Sequence, residues 1–115
     1  MADSYAELFR DTLDLLILKS LTWGRSHGYA IAEWIDTATG RTLLVEEGTL
    51  YPALHRLEHQ GLIEAAWGLS HHNRRARYYA LSALGRRRLR AETEVWHEYA
   101  EAVGRALAWA TSEAA

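Results

Sequence analysis

Apolar residues crowd the segment DTLDLLILKSLTWG, Asp11 to Gly24, where leucine or isoleucine fills positions 13, 15, 16, 17, 18 and 21. So dense a run predicts a helix buried on most sides and stopped by the glycine. Upstream, Ser4 and Glu7 have the spacing of a capping box, so the helix can begin there, with a break allowed near Asp11. Ser26 is placed to cap a second helix, HGYAIAEWIDTATG, in which Ile31 and Ile35 share a face and Gly40 ends the segment. RTLLVEE reads as a short apolar connector. GTLYPALHRLEHQG then sets Leu50, Leu54 and Leu57 on one stripe and closes on Gly61, which predicts a third helix.

After Gly61 the period changes to two. In LIEAAWG, Ile63, Ala65 and Trp67 alternate with Glu64, Ala66 and Gly68, and in RARYYAL, Tyr79 and Leu81 share one face. The intervening SHHNRRARYYAL makes the pair a hairpin with arginines at its tip and on its return strand. A long final helix follows, capped by Ser82, with Leu89, Trp96, Val103 and Ala110 recurring every seven residues. That period predicts a partner helix. Leu8, Tyr99 and Leu107 join Leu89, Trp96 and Val103 as candidates for a dimer interface.

Charge changes this picture. From Met1 to Glu64, five basic residues face ten acidic ones; from Ala65 to Ala91 there are seven arginines and no acid; beyond, Arg105 faces five glutamates. The chain totals -2, so its positive charge is concentrated in and just after the hairpin. A length of 115 residues allows one domain that buries about two-thirds of its unfolded surface. Without cysteine there can be no disulfide or thiolate metal site, and the cytosol is the default compartment. The acidic N-terminal stretch does not read as a signal peptide, and LLILKSL, interrupted by Lys19, is too short to span a membrane. No linker is evident. The expected organisation is a unit over 1–81 and an arm over 82–115, packed as one body.

Three helices, an arginine-tipped hairpin and a long terminal helix predict a mainly α (α+β) fold. It is a winged helix-turn-helix with an added N-terminal helix segment and a long C-terminal dimerisation helix. The strings VEEGTLYPALHRLEHQGLIEAAWG and NRRARYYAL, with LDLLILKSL and HGYAI upstream, resemble the PadR family of bacterial transcriptional regulators, from about Leu13 to about Arg90. The short terminal helix is similar to the family's smaller subgroup. The resemblance implies that helix three enters the major groove of double-stranded DNA at a near-palindromic operator, as a homodimer.

Projected at 100° per residue, Gly48, Pro52, His55 and His59 lie opposite the leucine stripe, flanked by Thr49 and Arg56 on one side and Tyr51 on the other. If Thr49 is the cap, Pro52 falls in the first turn; if the helix starts near Glu46, the Gly48 carbonyl loses its amide partner. Tyr29, Gly48, Thr49, Tyr51, Pro52, His55 and Arg56 are therefore DNA-binding candidates. At the wing, Arg74, Arg75 and Arg77 can meet phosphates or enter a minor groove, and His72 and Asn73 can donate to backbone oxygens. A basic hairpin tip that is merely solvated is the plainer alternative. Glu46 and Glu47 depart from the family, whose members often carry proline or a neutral residue there, and carboxylates repel phosphate.

His55 and His59, four apart, lack a third metal ligand, and no nucleophile motif or phosphate loop occurs, so neither metal, cofactor nor enzyme activity is expected. Trp96 and Tyr99 belong to the core or a dimer seam; alternatively Trp96, Tyr99 and Leu8 line an opening between subunits that binds a planar aromatic molecule, as in some family members. The expected function is a repressor released by such a ligand. A winged helix used for protein contact without DNA binding is the rival, and it calls for apolar recognition surfaces in place of arginines.

Overall fold

The computed structural model describes residues 2–110, with side chains from Leu8 onward. Helix α1, Ala2–Ser20, passes through Asp11 without a break, and a 3-10 turn, Leu21–Trp23, carries the chain to Gly24. Because the helix runs back to Ala2, Ser4 lies inside it and not at its cap; the side chains of the expected capping pair lie outside the described residues. Helix α2, Gly28–Ala38, is capped by His27 and not by Ser26: the His27 Nδ1 accepts from the Ala30 amide at 3.3 Å. Ser26 is drawn into a two-residue strand, β1 (Ser26–His27), too short to leave a periodic signal.

Helix α3, Glu47–His59, has Glu46 at its cap position with no side-chain cap, which decides between the two placements of Pro52. Pro52 is interior, and the Gly48 carbonyl has no proline amide to accept from. Its end is closed as the glycine predicts: the Gly61 amide donates to Glu58 O and the Leu62 amide to Leu57 O, both at 3.0 Å. Gly61 sits at φ 77°. This pair of hydrogen bonds is the Schellman arrangement, and it brings Leu57 and Leu62 together in the core.

Strands β2, Ile63–Leu69, and β3, Arg75–Leu81, form the expected hairpin, and β1 adds to the far side of β3 in the order β1–β3–β2, all antiparallel. Helix α4, Ala83–Leu107, starts on Ser82, whose Oγ accepts from the Gly85 amide at 3.0 Å and donates to Gly61 O at 2.6 Å. The first turn of α4 is thus tied to the corner between α3 and β2.

The core gathers Leu13, Ile17 and Leu18 of α1, Ile31 and Ile35 of α2, Leu50, Leu54 and Leu57 of α3, and Ile63, Tyr79 and Leu81 of the sheet. Each such aliphatic side chain contributes about 1.5–3 kcal/mol on burial. Of the seven-residue stripe on α4 only Leu89 enters this core. Trp96, Tyr99, Val103 and Leu107 stand exposed along a helix that gives the molecule extents of 62 × 30 × 21 Å.

Candidate nucleic-acid interface

The leucine stripe of α3 faces inward, so the opposite face is presented to solvent. Gly48, Thr49, Tyr51, Pro52, His55, Arg56 and His59 are all exposed on it. Tyr51 is held by the start of α2: a side chain added at Gly28 would place its Cβ 2.6 Å from the Tyr51 hydroxyl. The glycine lets the two helices of the helix-turn-helix approach. Tyr29, next to it, is 71% exposed, with its hydroxyl 3.4 Å from Glu33. Glu46 and Glu47 flank the exposed face at its N-terminal end.

The wing tip is a tight loop. Ser70 and Arg74 close it through the Ser70 amide to Arg74 O at 2.8 Å, and the Asn73 amide donates to Ser70 O at 2.8 Å. Asn73 takes φ 63°, a left-handed conformation that asparagine tolerates better than most residues. Its place in the wing therefore has a conformational reason. The rings of His71 and His72 lie 4.0 Å apart and tilted by 43°, and His71 through Arg75 are exposed.

The arginines differ in what they already hold. Arg56 reaches Asp14 on α1 through two nitrogens, Nη2 at 2.6 Å and Nε at 3.4 Å. Arg77 meets Glu58 of α3 at 2.9 Å. Among the described residues Arg74 and Arg75 have no carboxylate partner, so these are the uncommitted cations of the wing. Arg75 instead packs its guanidinium over the Trp67 ring, 4.6 Å from the centroid. On the other face of the sheet Arg25 lies 4.5 Å over Tyr78. Burial raises the Tyr79 phenol above its ordinary pKa, so this residue is a protonated packing group at neutral pH.

Asp14, Glu58, Trp67 and Arg25 were not singled out by the sequence. Trp67 could have been found: centring the hairpin on Ser70–Arg74 puts it opposite Arg77. The pairs to Asp14 and Glu58 span 42 and 19 residues and leave no local signature.

Away from the wing, α1 and α4 enclose a groove of about 1200 Å³. Leu8, Leu15, Leu16, Leu89, Trp96 and Tyr99 line it, so Leu8, Trp96 and Tyr99 do share one space. Val103 and Leu107 lie farther along α4, outside this lining. No cluster of potential metal ligands occurs among the described residues. No described helix is long and apolar enough to cross a membrane.

Residues 17–91 match the transcriptional regulator PadR-like family. The chain belongs to that family. A PadR family transcriptional regulator from Eggerthella lenta is similar over 94% of this chain and 92% of its own, with 31% identity and a TM-score of 0.78. A transcriptional regulator from Clostridium thermocellum is similar at 29% identity over 86% of this chain and 93% of that one, again with a TM-score of 0.78. An uncharacterised protein of Lysinibacillus sphaericus is 30% identical over 98 residues, 85% of this chain and 90% of that protein. Helices plus a small antiparallel sheet match the winged-helix architecture of these PadR structures. As PadR regulators bind DNA and are not enzymes, this chain is a DNA-binding transcriptional regulator.

Proposed function

We propose that the protein is a homodimeric repressor that places α3 of each subunit in successive major grooves of a near-palindromic operator, with the wings on the flanking backbone. The observation that carries this reading is the uncommitted pair Arg74 and Arg75 at the tip of a hairpin beside α3. In a chain of net charge -2, two exposed arginines without acidic partners among the described residues are the natural counter-charges for phosphate. The centre of the exposed α3 face, Gly48, Pro52 and His55, carries no carboxylate and no side chain at Gly48, which suits close approach to base edges. Thr49, Tyr51 and Tyr29 flank it, while His72 and Asn73 donate to sugar-phosphate oxygens. Arg56 and Arg77 act mainly through their carboxylate partners.

Dimerisation is assigned to residues 82–115. A helix of 25 residues is about 37 Å long, and here its outer part offers Trp96, Tyr99, Val103 and Leu107 with no core of its own to cover them. Leu8 extends the same apolar surface across the groove, while Leu89, buried in the core, forms part of its floor and not of the exposed surface. A planar aromatic ligand seated between Trp96 and its symmetry mate would bind one arrangement of the dimer better than the other, and so release DNA. The reading places the protein in the cytosol, with the chromosome.

A mobility shift on a duplex bearing the promoter of the protein's own gene, repeated at rising salt, tests DNA binding, and sedimentation tests the dimer. A retarded complex whose affinity falls with salt is expected. Truncation after Arg90 should leave a monomer or an insoluble chain. A folded monomer of that truncated chain with full DNA affinity would refute the dimer.

A further inference from the structure

Trp67 is a large aromatic side chain that the core does not use. On the face of the hairpin that continues from the core, Ile63 is buried and Ala65 half-buried, but Trp67 is 56% and Leu69 61% exposed. The register sets Trp67 directly opposite Arg77 and Leu69 opposite Arg75, so Arg75 is the diagonal neighbour of Trp67 on the same face. Both guanidiniums use the indole: Arg75 lies 4.6 Å and Arg77 5.7 Å from its centroid. Their fates then diverge. Arg77 donates to Glu58 at 2.9 Å, whereas the Arg75 guanidinium makes no hydrogen bond among the described residues.

We infer that Trp67 is the positioning residue of the wing, holding Arg75 stacked and extended so that its N–H groups meet a DNA phosphate without first being ordered. A free arginine loses rotamer freedom when it grips a phosphate; one already stacked on an aromatic ring has lost much of it beforehand. The indole face also attracts the cation without neutralising it, as a carboxylate would. The pairing of Arg77 with Glu58 holds the second guanidinium near the ring and ties the arrangement to α3. This inference rests on the proposed contact between the wing and phosphate.

The test uses the full chain and a fluorescently labelled duplex of arbitrary sequence, about 30 base pairs long, since phosphate contacts are read without an operator. Affinity is measured against salt for the parent, Trp67→Ala, Trp67→Leu, Trp67→Phe, Arg75→Ala and the double variant Trp67→Ala/Arg75→Ala. Thermal midpoints confirm that each is folded. Trp67→Ala and Trp67→Leu should weaken binding roughly two- to five-fold per wing engaged, with Trp67→Phe recovering most of the loss. Leucine supplies bulk without a π face, so a purely packing role would instead be rescued by it. In the Arg75→Ala background, Trp67→Ala should cost nothing further. Equal losses in both backgrounds would overturn the inference and make Trp67 an independent DNA contact. No loss in Trp67→Ala, with Arg75→Ala still lowering the salt slope, would overturn it while sparing the wing contact. An Arg75→Ala variant with unchanged affinity and slope would remove both.

Discussion

Gly85 is the residue on which the orientation of α4 depends. A Cβ at this position would collide with the carbonyl oxygen of Leu62 and lie 3.0 Å from its carbonyl carbon and 3.2 Å from Leu81 Cδ2. The first obstacle is backbone, so no rotamer change relieves it, and Gly85→Ala must push the first turn of α4 off the α3–β2 corner. Three hydrogen bonds join there: Ser82 Oγ to Gly61 O at 2.6 Å, the Ser82 amide to Leu62 O at 3.2 Å, and the Gly85 amide to Ser82 Oγ at 3.0 Å. At about 1 kcal/mol each, their loss costs about 3 kcal/mol, against a helix-propensity gain of about 1 kcal/mol for alanine. A net loss of about 2 kcal/mol should lower the thermal midpoint by roughly 10 °C for a domain of this size. Urea and thermal denaturation at one fixed protein concentration measure it, because the proposed dimerisation would couple stability to concentration. Gly104→Ala in the same helix is the comparison: nothing lies within 4 Å of its added Cβ, so it should gain about 0.5–1 kcal/mol. Equal or raised stability in Gly85→Ala would refute the collision. It would also remove the reason for thinking that α4, and with it the spacing of two α3 helices in a dimer, is fixed rigidly to the winged domain.

Arg74→Ala and Arg75→Ala should each flatten the plot of log affinity against log salt by about one unit per subunit engaged, weakening all sequences alike. Unchanged slopes would leave the wing without a role in binding. Asp14→Asn releases Arg56 from its bidentate partner and should raise affinity several-fold at low salt, with little loss of stability because the pair is partly exposed and worth about 0–1 kcal/mol; a drop in affinity would show that the pair is needed to place α3. Trp96→Phe should reduce the fluorescence quench and the operator release produced by a planar aromatic ligand, a coupling of roughly 1–3 kcal/mol in such switches. Identical ligand response in the variant would return Trp96 to a seam role. Glu46→Gln and Glu47→Gln should tighten binding to any duplex at low salt, whereas Glu98→Gln and Glu101→Gln should not, as measured by the same titration.

The helices were legible wherever their signals were local. Leu50, Leu54 and Leu57 mark the inward face of α3, and Gly61 marks its end, because a Schellman closure needs a residue at positive φ there. Ser82 announced the cap of α4 in the same way. What escaped is what the chain brings together from afar. β1 is two residues long and exists only because β3 offers an edge, so Ser26 reads as a cap until Tyr79 is placed beside it. The exposed face of α3 follows from helical projection alone. The commitment of Arg56 to Asp14 and of Arg77 to Glu58 does not, since four basic residues of equal formal charge look alike until their neighbours are known.

This difference bears on how an acidic chain holds a polyanion. At physiological ionic strength the Debye length is about 8 Å, so exposed charges farther away than that are largely screened. The molecule is 62 Å long, and the glutamates of the outer half of α4 add to net charge without reaching a duplex held, as proposed, at α3 and the wing. Net charge is therefore a poor guide here, and the local ledger of charges governs affinity. In that neighbourhood two of the four arginines on α3 and the wing are already matched by Asp14 and Glu58. Glu46 and Glu47 add repulsion at the N-terminal end of α3, where the positive end of the helix dipole would otherwise favour phosphate. With so few free cations, binding leans on the quality of each contact more than on their number. On this proposal an arginine held ready on Trp67 and an α3 face free of side-chain bulk at Gly48 are what such a chain relies on, and a modest affinity for non-specific DNA, with a shallow salt slope set by its few phosphate contacts, follows from it.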